Sequence, residues 1–157
     1  IRVPDVPAYL AMPRACGANT TPIAFAEVYL ALQNGTVDAQ ENPLTTIEAK
    51  KFFEVQKNIV LTAHLVDHLN TVISKNLWSK LSDEDKKIFT DVMQEAAVRT
   101  TKTIEGREKS LVEEFKKRGL NVAEVDKADF EKNVMEKVKF EDFGYDKADW
   151  EAIRAVK

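Results

Sequence analysis

Between positions 22 and 43 the apolar residues follow first a helical and then an extended period. A helix is predicted over 25–33, because apolar residues recur there at the i, i+3, i+4, i+7 spacing of one buried face: Phe25, Val28, Tyr29 and Leu32. Gly35 supplies a left-handed helix stop, a short strand is predicted over 37–40, and a second helix over 45–55. This compact alternation of strands and helices is typical of α/β layers.

The remaining apolar segments predict further short strands and helices. Runs rich in apolar and β-branched residues predict strands over 1–3, 58–63, 69–74 and 120–125. Helical spacing predicts helices over 7–16, 126–138 and 146–156. No apolar run reaches the roughly 18 residues that a bilayer-spanning helix requires, so none is predicted.

Ser82 marks the predicted start of the longest helix, because it can accept a backbone hydrogen bond from a first turn rich in carboxylates. No proline interrupts the helical spacing over 83–118, and Gly119 follows as a stop. At about 1.5 Å per residue this helix is roughly 50 Å long, more than the width of a domain of this size. We therefore expect either a kink near Gly106 or a helix that spans two lobes.

The composition argues against several kinds of partner and site. The 157 residues include 23 basic and 26 acidic side chains, a net charge of −3. Binding of nucleic acid or of an anionic membrane is not expected without a basic surplus or stripe. An anionic ligand would therefore have to be held by a few well-placed cations. Cys16 is the single cysteine, which rules out an internal disulfide, and we expect it to be a buried structural thiol.

One alternative function is suggested by the segment His64-Leu65-Val66-Asp67-His68. On a helix, two histidines at i and i+4 share a face, and the adjacent carboxylate completes a spacing typical of metal ligands. The alternative is thus a metal-dependent hydrolase that uses His64, Asp67 and His68. The strands predicted on both sides argue against the helix that this hypothesis requires. We expect no metal, no other cofactor and no enzymatic activity.

Four motifs follow one another along the first part of the chain: Arg2-Val3-Pro4, Phe25-Ala26-Glu27-Val28-Tyr29-Leu30-Ala31-Leu32-Gln33, Val37-Asp38-Ala39-Gln40-Glu41-Asn42-Pro43 and Phe53-Glu54-Val55-Gln56-Lys57. In residue type, order and spacing they resemble the extracytoplasmic solute receptors of TRAP transporters. The resemblance extends from Ile1 to about Ser82. The sequence departs from the family pattern at Ala39, where glycine is usual, and at Pro13, where larger residues are common.

The resemblance implies a periplasmic-binding-protein-like lobe, a mixed sheet flanked by helices, with a long inter-lobe helix. It implies that 1–67 and 107–157 form the second, C-terminal lobe and that 68–106 belongs to the first lobe. Because the sequence opens on the end of a predicted strand, we expect a preceding portion of the protein to be missing. Such a receptor binds a small organic acid in the periplasm, whether a sugar acid, a dicarboxylate or a keto acid, and delivers it to the TRAP membrane permease.

The resemblance also implies a set of ligand-binding residues. Arg2 corresponds to an arginine that forms a paired salt bridge with the ligand carboxylate, a geometry that suits a planar guanidinium. Asn42 corresponds to an asparagine that hydrogen-bonds the ligand, with helix N-capping before Pro43 as its alternative role. Phe25 corresponds to an aromatic residue that packs on the ligand, with plain core packing as the alternative. Further residues expected to line the cleft are Gln40, Glu41, His64 and Asp67.

The strand predicted over 69–74 would pair with a sheet of the first lobe. An unpaired apolar strand edge promotes self-association. We therefore expect this chain by itself to form a dimer or a swapped oligomer.

Overall fold

The computed structural model describes residues 1–156, with the backbone alone at positions 140 and 142, and its fold is α/β as predicted. The described strands are β1 (Arg2–Val3), β2 (Thr21–Pro22), β3 (Asn58–Leu61) and β4 (Asn121–Glu124). They form two parallel pairs, β1 with β2 and β3 with β4. The strands predicted over 1–3, 58–63 and 120–125 are therefore confirmed.

Seven α-helices occur within the described residues: α1 (Pro7–Ala15), α2 (Val28–Gln33), α3 (Leu44–Ala49), α4 (Lys75–Trp78), α5 (Asp83–Lys117), α6 (Lys127–Met135) and α7 (Lys147–Arg154). Short 3₁₀ turns lie at Phe25–Glu27, Phe52–Glu54 and Phe140–Phe143. The helix predicted over 45–55 is interrupted because Lys51 adopts a left-handed conformation with φ of 58°. Over the described residues, every helix is either too short or too polar to cross a bilayer.

The longest helix, α5, continues through Gly106 without a break over 35 residues. It starts as predicted, because the Ser82 hydroxyl accepts the N–H of Asp85 at 3.0 Å and donates to the carboxylate of the same residue at 2.6 Å. Near its C-terminal end, Leu111 and Phe115 are fully buried. Nearer its start the apolar side chains are exposed: Ile88, Val92, Val98 and Ile104. The span between two lobes stays a prediction, and these exposed residues are consistent with it.

The hydrophobic core lies where α2, α3 and the C-terminal part of α5 pack around β3. Its buried members are Val28, Ala31, Leu32, Val37, Leu44, Ile47, Phe52, Ile59, Leu111 and Phe115. Val28 begins α2 directly after the 3₁₀ turn that carries Phe25, and Leu44 begins α3 two residues after Asn42. The core therefore anchors two of the chain segments that contain predicted ligand-binding residues.

Two predicted strands do not form as expected. Residues 69–74 have no regular secondary structure, and Leu69 is 97% exposed. A strand requires a hydrogen-bonded neighbour, and no described segment pairs with this one. The strand predicted over 37–40 is reduced to a single bridge between Gln40 and Arg2.

The expectation of a buried thiol at Cys16 is wrong, since this residue is exposed. Cys16 caps the C-terminus of α1, and Gly17 follows with a left-handed φ of 83°. The apolar run before it therefore ends at Ala15, which is the last residue buried by α1. The thiol itself lies past the helix, on the turn.

Two side chains of α5 hold α3 in position. The carboxylate of Glu108 accepts the first two backbone N–H groups of α3, at 3.1 and 2.7 Å. Arg107 forms ion pairs with Glu48 of α3 and with Glu114 of α5. Its hydrogen bonds to these two carboxylates raise the pKa of Arg107, and the same bond lowers the pKa of Glu114. These four charged side chains, Arg107, Glu108, Glu114 and Glu48, form a charged junction that holds α3, the helix that follows Asn42.

Replacing Glu108 with alanine tests whether its carboxylate stabilises the N-terminus of α3. We expect Glu108→Ala to lower the free energy of unfolding by about 1 kcal/mol, because two backbone donors of α3 lose their acceptors. Glu105→Ala is the matched control, since Glu105 is exposed and forms no hydrogen bond or ion pair with any described side chain. Urea unfolding followed by circular dichroism measures both variants. Equal losses in the two variants would contradict the capping role.

The ion pair between Glu114 and Arg107 should make the stability of the fold depend on pH. Because Arg107 lowers the folded-state pKa of Glu114, the carboxylate contributes stability that is complete above its unfolded pKa of about 4.3. That contribution is lost as the pH falls through the folded-state value. We expect Glu114→Gln to be less stable than the unmodified chain at pH 7, with the difference shrinking on acidification through this window. Unfolding curves at several pH values measure it, and a difference that does not change with pH argues against the pair.

Candidate functional site

Arg2 is a buried cation at the centre of three chain segments. It lies in β1, is 4% exposed, and donates its backbone N–H to the carbonyl of Ala39 at 2.7 Å. Its Nε donates to the carbonyl of Ile23 at 2.9 Å. Among the described residues, its two terminal nitrogens have no hydrogen-bond acceptor and no carboxylate within 4 Å. The end of the guanidinium that could bind a carboxylate in bidentate fashion is therefore unengaged.

Phe25 lies beside this guanidinium. Its ring packs edge-on against Phe52, with centroids 6.2 Å apart at 78°. The guanidinium carbon of Arg2 lies 5.8 Å from the ring centroid, and the ammonium nitrogen of Lys50 lies 5.4 Å from it. The side chain is nevertheless 41% exposed. Phe25 thus contacts the core at one edge and offers apolar surface next to Arg2, and its packing on a ligand stays a prediction.

Asn42 does not cap α3. Its Nδ2 donates to Oε1 of Gln40 at 2.5 Å, and the N-terminus of α3 receives its acceptors from Glu108 instead. The capping role weighed for Asn42 is therefore wrong, because a residue distant in sequence supplies it. Gln40 and Asn42 lie within three residues of Ala39, whose carbonyl accepts the backbone N–H of Arg2.

Glu41 and His64 form the opposite side of the cluster. Oε2 of Glu41 lies 3.7 Å from Nε2 of His64, and both side chains are largely buried. Nδ1 of His64 lies 2.6 Å from the hydroxyl of Thr62. Burial lowers the pKa of Arg2, and the charge of Glu41 partly offsets this effect. A carboxylate is therefore near enough to influence Arg2 without forming an ion pair with it.

Asp67 lies at the exposed margin of the same region. Its Oδ1 accepts the backbone N–H of His68 at 2.8 Å. Burial raises the pKa of Tyr9 in α1, and the charges of Asp67 and Glu41 raise it further. Among the six predicted site residues, Arg2 lies beside Phe25, Glu41 lies beside His64, and Asn42 is linked to the Arg2 segment through Gln40, whereas Asp67 shares with Glu41 only an electrostatic influence on Tyr9. Tyr9 and Lys50 were missed by the sequence analysis, since no local pattern brings either side chain to this cluster.

The hypothesis of a metal site at His64, Asp67 and His68 requires a helix, and this segment is not helical. Residues 62–74 have no regular secondary structure, so His64 and His68 do not share a helix face. His64 is engaged by Thr62 and Glu41, whereas Asp67 bonds to the backbone of His68. Over the described residues, no group of three or more His, Cys, Asp or Glu side chains is arranged to hold a metal ion.

Residues 1–142 match the family described as bacterial extracellular solute-binding protein, family 7. The chain is 46% identical over 122 residues to the sialic acid-binding periplasmic protein SiaP of Vibrio cholerae, covering 78% of this chain and 38% of that protein. It is 36% identical over 122 residues to the 2,3-diketo-L-gulonate-binding periplasmic protein YiaO of Escherichia coli, covering 78% and 37%. The chain therefore spans less than half the length of these relatives.

Solved structures agree with this match. A TRAP periplasmic solute binding protein from Roseobacter denitrificans, with bound 3-deoxy-D-manno-oct-2-ulosonic acid, superimposes with a TM-score of 0.88 at 32% identity, over 99% of this chain and 52% of that one. A second from a Polaromonas species, bound to D-erythronate, gives 0.73 at 37% identity, over 85% and 44%. The predicted periplasmic-binding-protein-like fold and the periplasmic TRAP family are confirmed. The chain belongs to the family 7 bacterial extracellular solute-binding proteins, the binding proteins of TRAP transporters.

Proposed function

We propose that the full-length protein captures an organic acid in the periplasm through Arg2 and delivers it to a TRAP membrane permease. The observation that carries this proposal is the largely buried side chain of Arg2, whose terminal nitrogens have no acceptor among the described residues and remain accessible to solvent. A buried cation in this situation gains most from an anion that enters the site. Phe25 supplies adjacent apolar surface, and Asn42 supplies a polar group from the segment that follows Ala39.

The substrate class is a sugar acid or a similar carboxylate. The relatives and neighbouring structures name sialic acid, 2,3-diketo-L-gulonate, 3-deoxy-D-manno-oct-2-ulosonic acid and D-erythronate. Each of these compounds combines a carboxylate with several hydroxyl groups. The largely buried pair of Glu41 and His64 offers a carboxylate acceptor and a ring nitrogen at which hydroxyl groups could bind.

The mechanism on this proposal is conformational, and the protein is not an enzyme. We assign 1–67 and 107–157 to the second lobe and 68–106 to the first lobe, which closes over the bound acid. Support comes from the apolar side chains of 68–106, which are exposed here and would be covered by the remainder of the first lobe: Leu69, Val72, Leu77, Ile88, Val92 and Val98. Contacts made only in the closed state would drive closure on the ligand.

Removing the Arg2 guanidinium tests the proposal directly. A hydrogen bond to a charged group is worth about 1.5–3 kcal/mol, so we expect Arg2→Ala in the full-length protein to weaken carboxylate binding by roughly tenfold to 150-fold. Arg2→Lys keeps the charge but loses the bidentate geometry, and should be intermediate. A thermal-shift panel first identifies which acids bind; it contains the four acids named above together with L-galactonate, D-gluconate and pyruvate. Calorimetry with the acids that bind then gives the affinity of each variant.

Arg14→Ala is the matched control for this experiment. Arg14 lies in α1 and is exposed, and within the described part of the chain its side chain bonds only to the hydroxyl of Thr20, at 3.1 Å. Its removal should leave the affinity unchanged. Unaltered binding by Arg2→Ala would remove Arg2 from the site, and the absence of stabilisation by any acid in the panel would contradict the proposed function.

A further prediction concerns this chain in isolation. We expect the 157-residue chain by itself to dimerise or form a swapped oligomer, because apolar side chains of 66–104 are exposed in it. Chromatography with light scattering over a range of concentrations measures the oligomeric state. The full-length protein is the control and should remain monomeric at the same concentrations. A chain that stays monomeric at the highest concentration would contradict the expectation.

A further inference from the structure

Thr62 directly follows β3, the strand that pairs with β4 in parallel register. The next residue, Ala63, has a left-handed backbone with φ of 46°, a conformation that residues other than glycine rarely adopt. Across this turn the hydroxyl of Thr62 lies 2.6 Å from Nδ1 of His64. The hydrogen bond therefore spans a strained residue at the carboxyl end of a strand, which is where open α/β sheets bind their ligands.

Glu41 faces the other nitrogen of the imidazole ring. Its Oε2 lies 3.7 Å from Nε2 of His64, beyond the usual length of a hydrogen bond, and its side chain is 13% exposed. Among the described residues, no group donates a hydrogen bond to either oxygen of this carboxylate, and both oxygens keep access to solvent. The carboxylate of Glu41 is thus a largely buried acceptor that the described chain leaves open.

The contacts of His64 favour one of its two neutral tautomers. A neutral imidazole has one N–H and one acceptor nitrogen, so the partner of one nitrogen decides the role of the other. With the proton on Nδ1, the lone pair of Nε2 would face the carboxylate of Glu41, which is repulsive. When the hydroxyl of Thr62 donates to Nδ1 instead, the proton lies on Nε2 and the N–H is directed at Glu41. Electrostatics favours this second arrangement.

Glu41 is also close to the arginine at the centre of the candidate site. Burial lowers the pKa of Arg2 and the charge of Glu41 raises it, although within the described chain no ion pair joins the two side chains. A free donor and a free acceptor therefore lie within electrostatic reach of one another. A 2-hydroxy acid can present its carboxylate to Arg2 and the hydroxyl group of the adjacent carbon to Glu41.

We propose that Thr62 is a positioning residue that fixes the tautomer of His64, so that the Nε2–H group holds the carboxylate of Glu41 as the acceptor for a ligand hydroxyl group. This inference rests on the proposed function, because the hydroxyl group must belong to an acid that Arg2 holds. Thr62 itself does not touch the ligand. It acts through His64 on the orientation of Glu41.

Nuclear magnetic resonance of the unliganded full-length protein, labelled with ¹⁵N-histidine, reports the tautomer. At about pH 8 an ordinary imidazole is neutral, and its protonated and unprotonated nitrogens give well-separated signals. The signals of His64 are assigned by their loss in His64→Gln, and the exposed His68 is the internal reference. We expect His64 to be in the Nε2–H form alone. Thr62→Val should shift it toward the mixture of tautomers that His68 shows.

Calorimetry with paired acids tests the consequence for binding. Each hydroxy acid that binds in the thermal-shift panel is compared with its 2-deoxy analogue, as D-erythronate is with 3,4-dihydroxybutanoate and D-gluconate with 2-deoxy-D-gluconate. The members of a pair differ only in the hydroxyl group next to the carboxylate. Thr62→Val should weaken the binding of the parent acids by about fivefold, the value of one neutral hydrogen bond. The affinities of the 2-deoxy analogues should change by less than about twofold.

Two further variants control for changes in folding and packing. Thr62→Ser keeps the hydroxyl group, so it should retain both the tautomer and the affinity for the parent acids. Thr36→Val is the matched control, because Thr36 is exposed and its hydroxyl forms no hydrogen bond with any described residue. Thermal unfolding establishes that each variant is folded, and the tautomer of the unmodified protein is decisive even if Thr62→Val is not.

The outcomes distinguish the two proposals. A single Nε2–H form, with a loss in Thr62→Val that is confined to the parent acids and reversed in Thr62→Ser, supports the role of Thr62. An Nδ1–H form or an imidazolium in the unmodified protein overturns it, as do equal losses for both members of a pair. Acid binding that Thr62→Val leaves unchanged, or a panel in which only pyruvate binds, overturns this inference and leaves the proposed function standing. A protein that binds no acid overturns both.

Discussion

The side chain of Arg2, largely buried but with solvent-accessible terminal nitrogens that have no acceptor among the described residues, is the feature around which the candidate site is built. Transfer of an unpaired cation out of water is costly, and burial lowers the pKa of Arg2 accordingly. The chain offsets part of this cost with the carbonyl of Ile23, the ring of Phe25 and the nearby charge of Glu41. None of these is a carboxylate in contact, so the strongest partner that the cation could have must come from outside the described chain.

The segments around Arg2 stay in register because each is anchored to the same core. Phe25 precedes the buried Val28 of α2, and Asn42 precedes the buried Leu44 of α3. The start of α3 is then held by Glu108 of α5, which accepts its first two N–H groups. One helix of the lobe thereby supports the wall of the site, although none of its own side chains reaches Arg2.

Features with a local cause could be predicted from the sequence. The start of α5 follows from Ser82 and the carboxylates after it, and a helical stop follows from Gly119. The residues of the site were named through family motifs, and the fold brings them together. Their roles in binding stay predictions.

Features with a distant cause could not be predicted. Asn42 has the sequence context of an N-cap, yet that role belongs to Glu108, which is remote in sequence. Lys50 and Tyr9 reach the cluster only through tertiary packing. Residues 69–74 have the composition of a strand and remain irregular. Strand propensity reflects packing and pairing with a neighbour more than backbone preference, so composition alone could not decide their structure.

The distribution of burial along α5 connects these observations. Leu111 and Phe115 are fully buried in the core, whereas Val92 and Val98 of the same helix are exposed. The two halves belong to one helix, joined by an unbroken series of backbone hydrogen bonds over Asp83–Lys117. Any body that packed on the exposed half would therefore be coupled to Arg107 and Glu108, and through them to the start of α3. The same helix thus carries both the exposed apolar surface and the side chains of Arg107 and Glu108 that hold α3, the helix directly after the segment with Asn42.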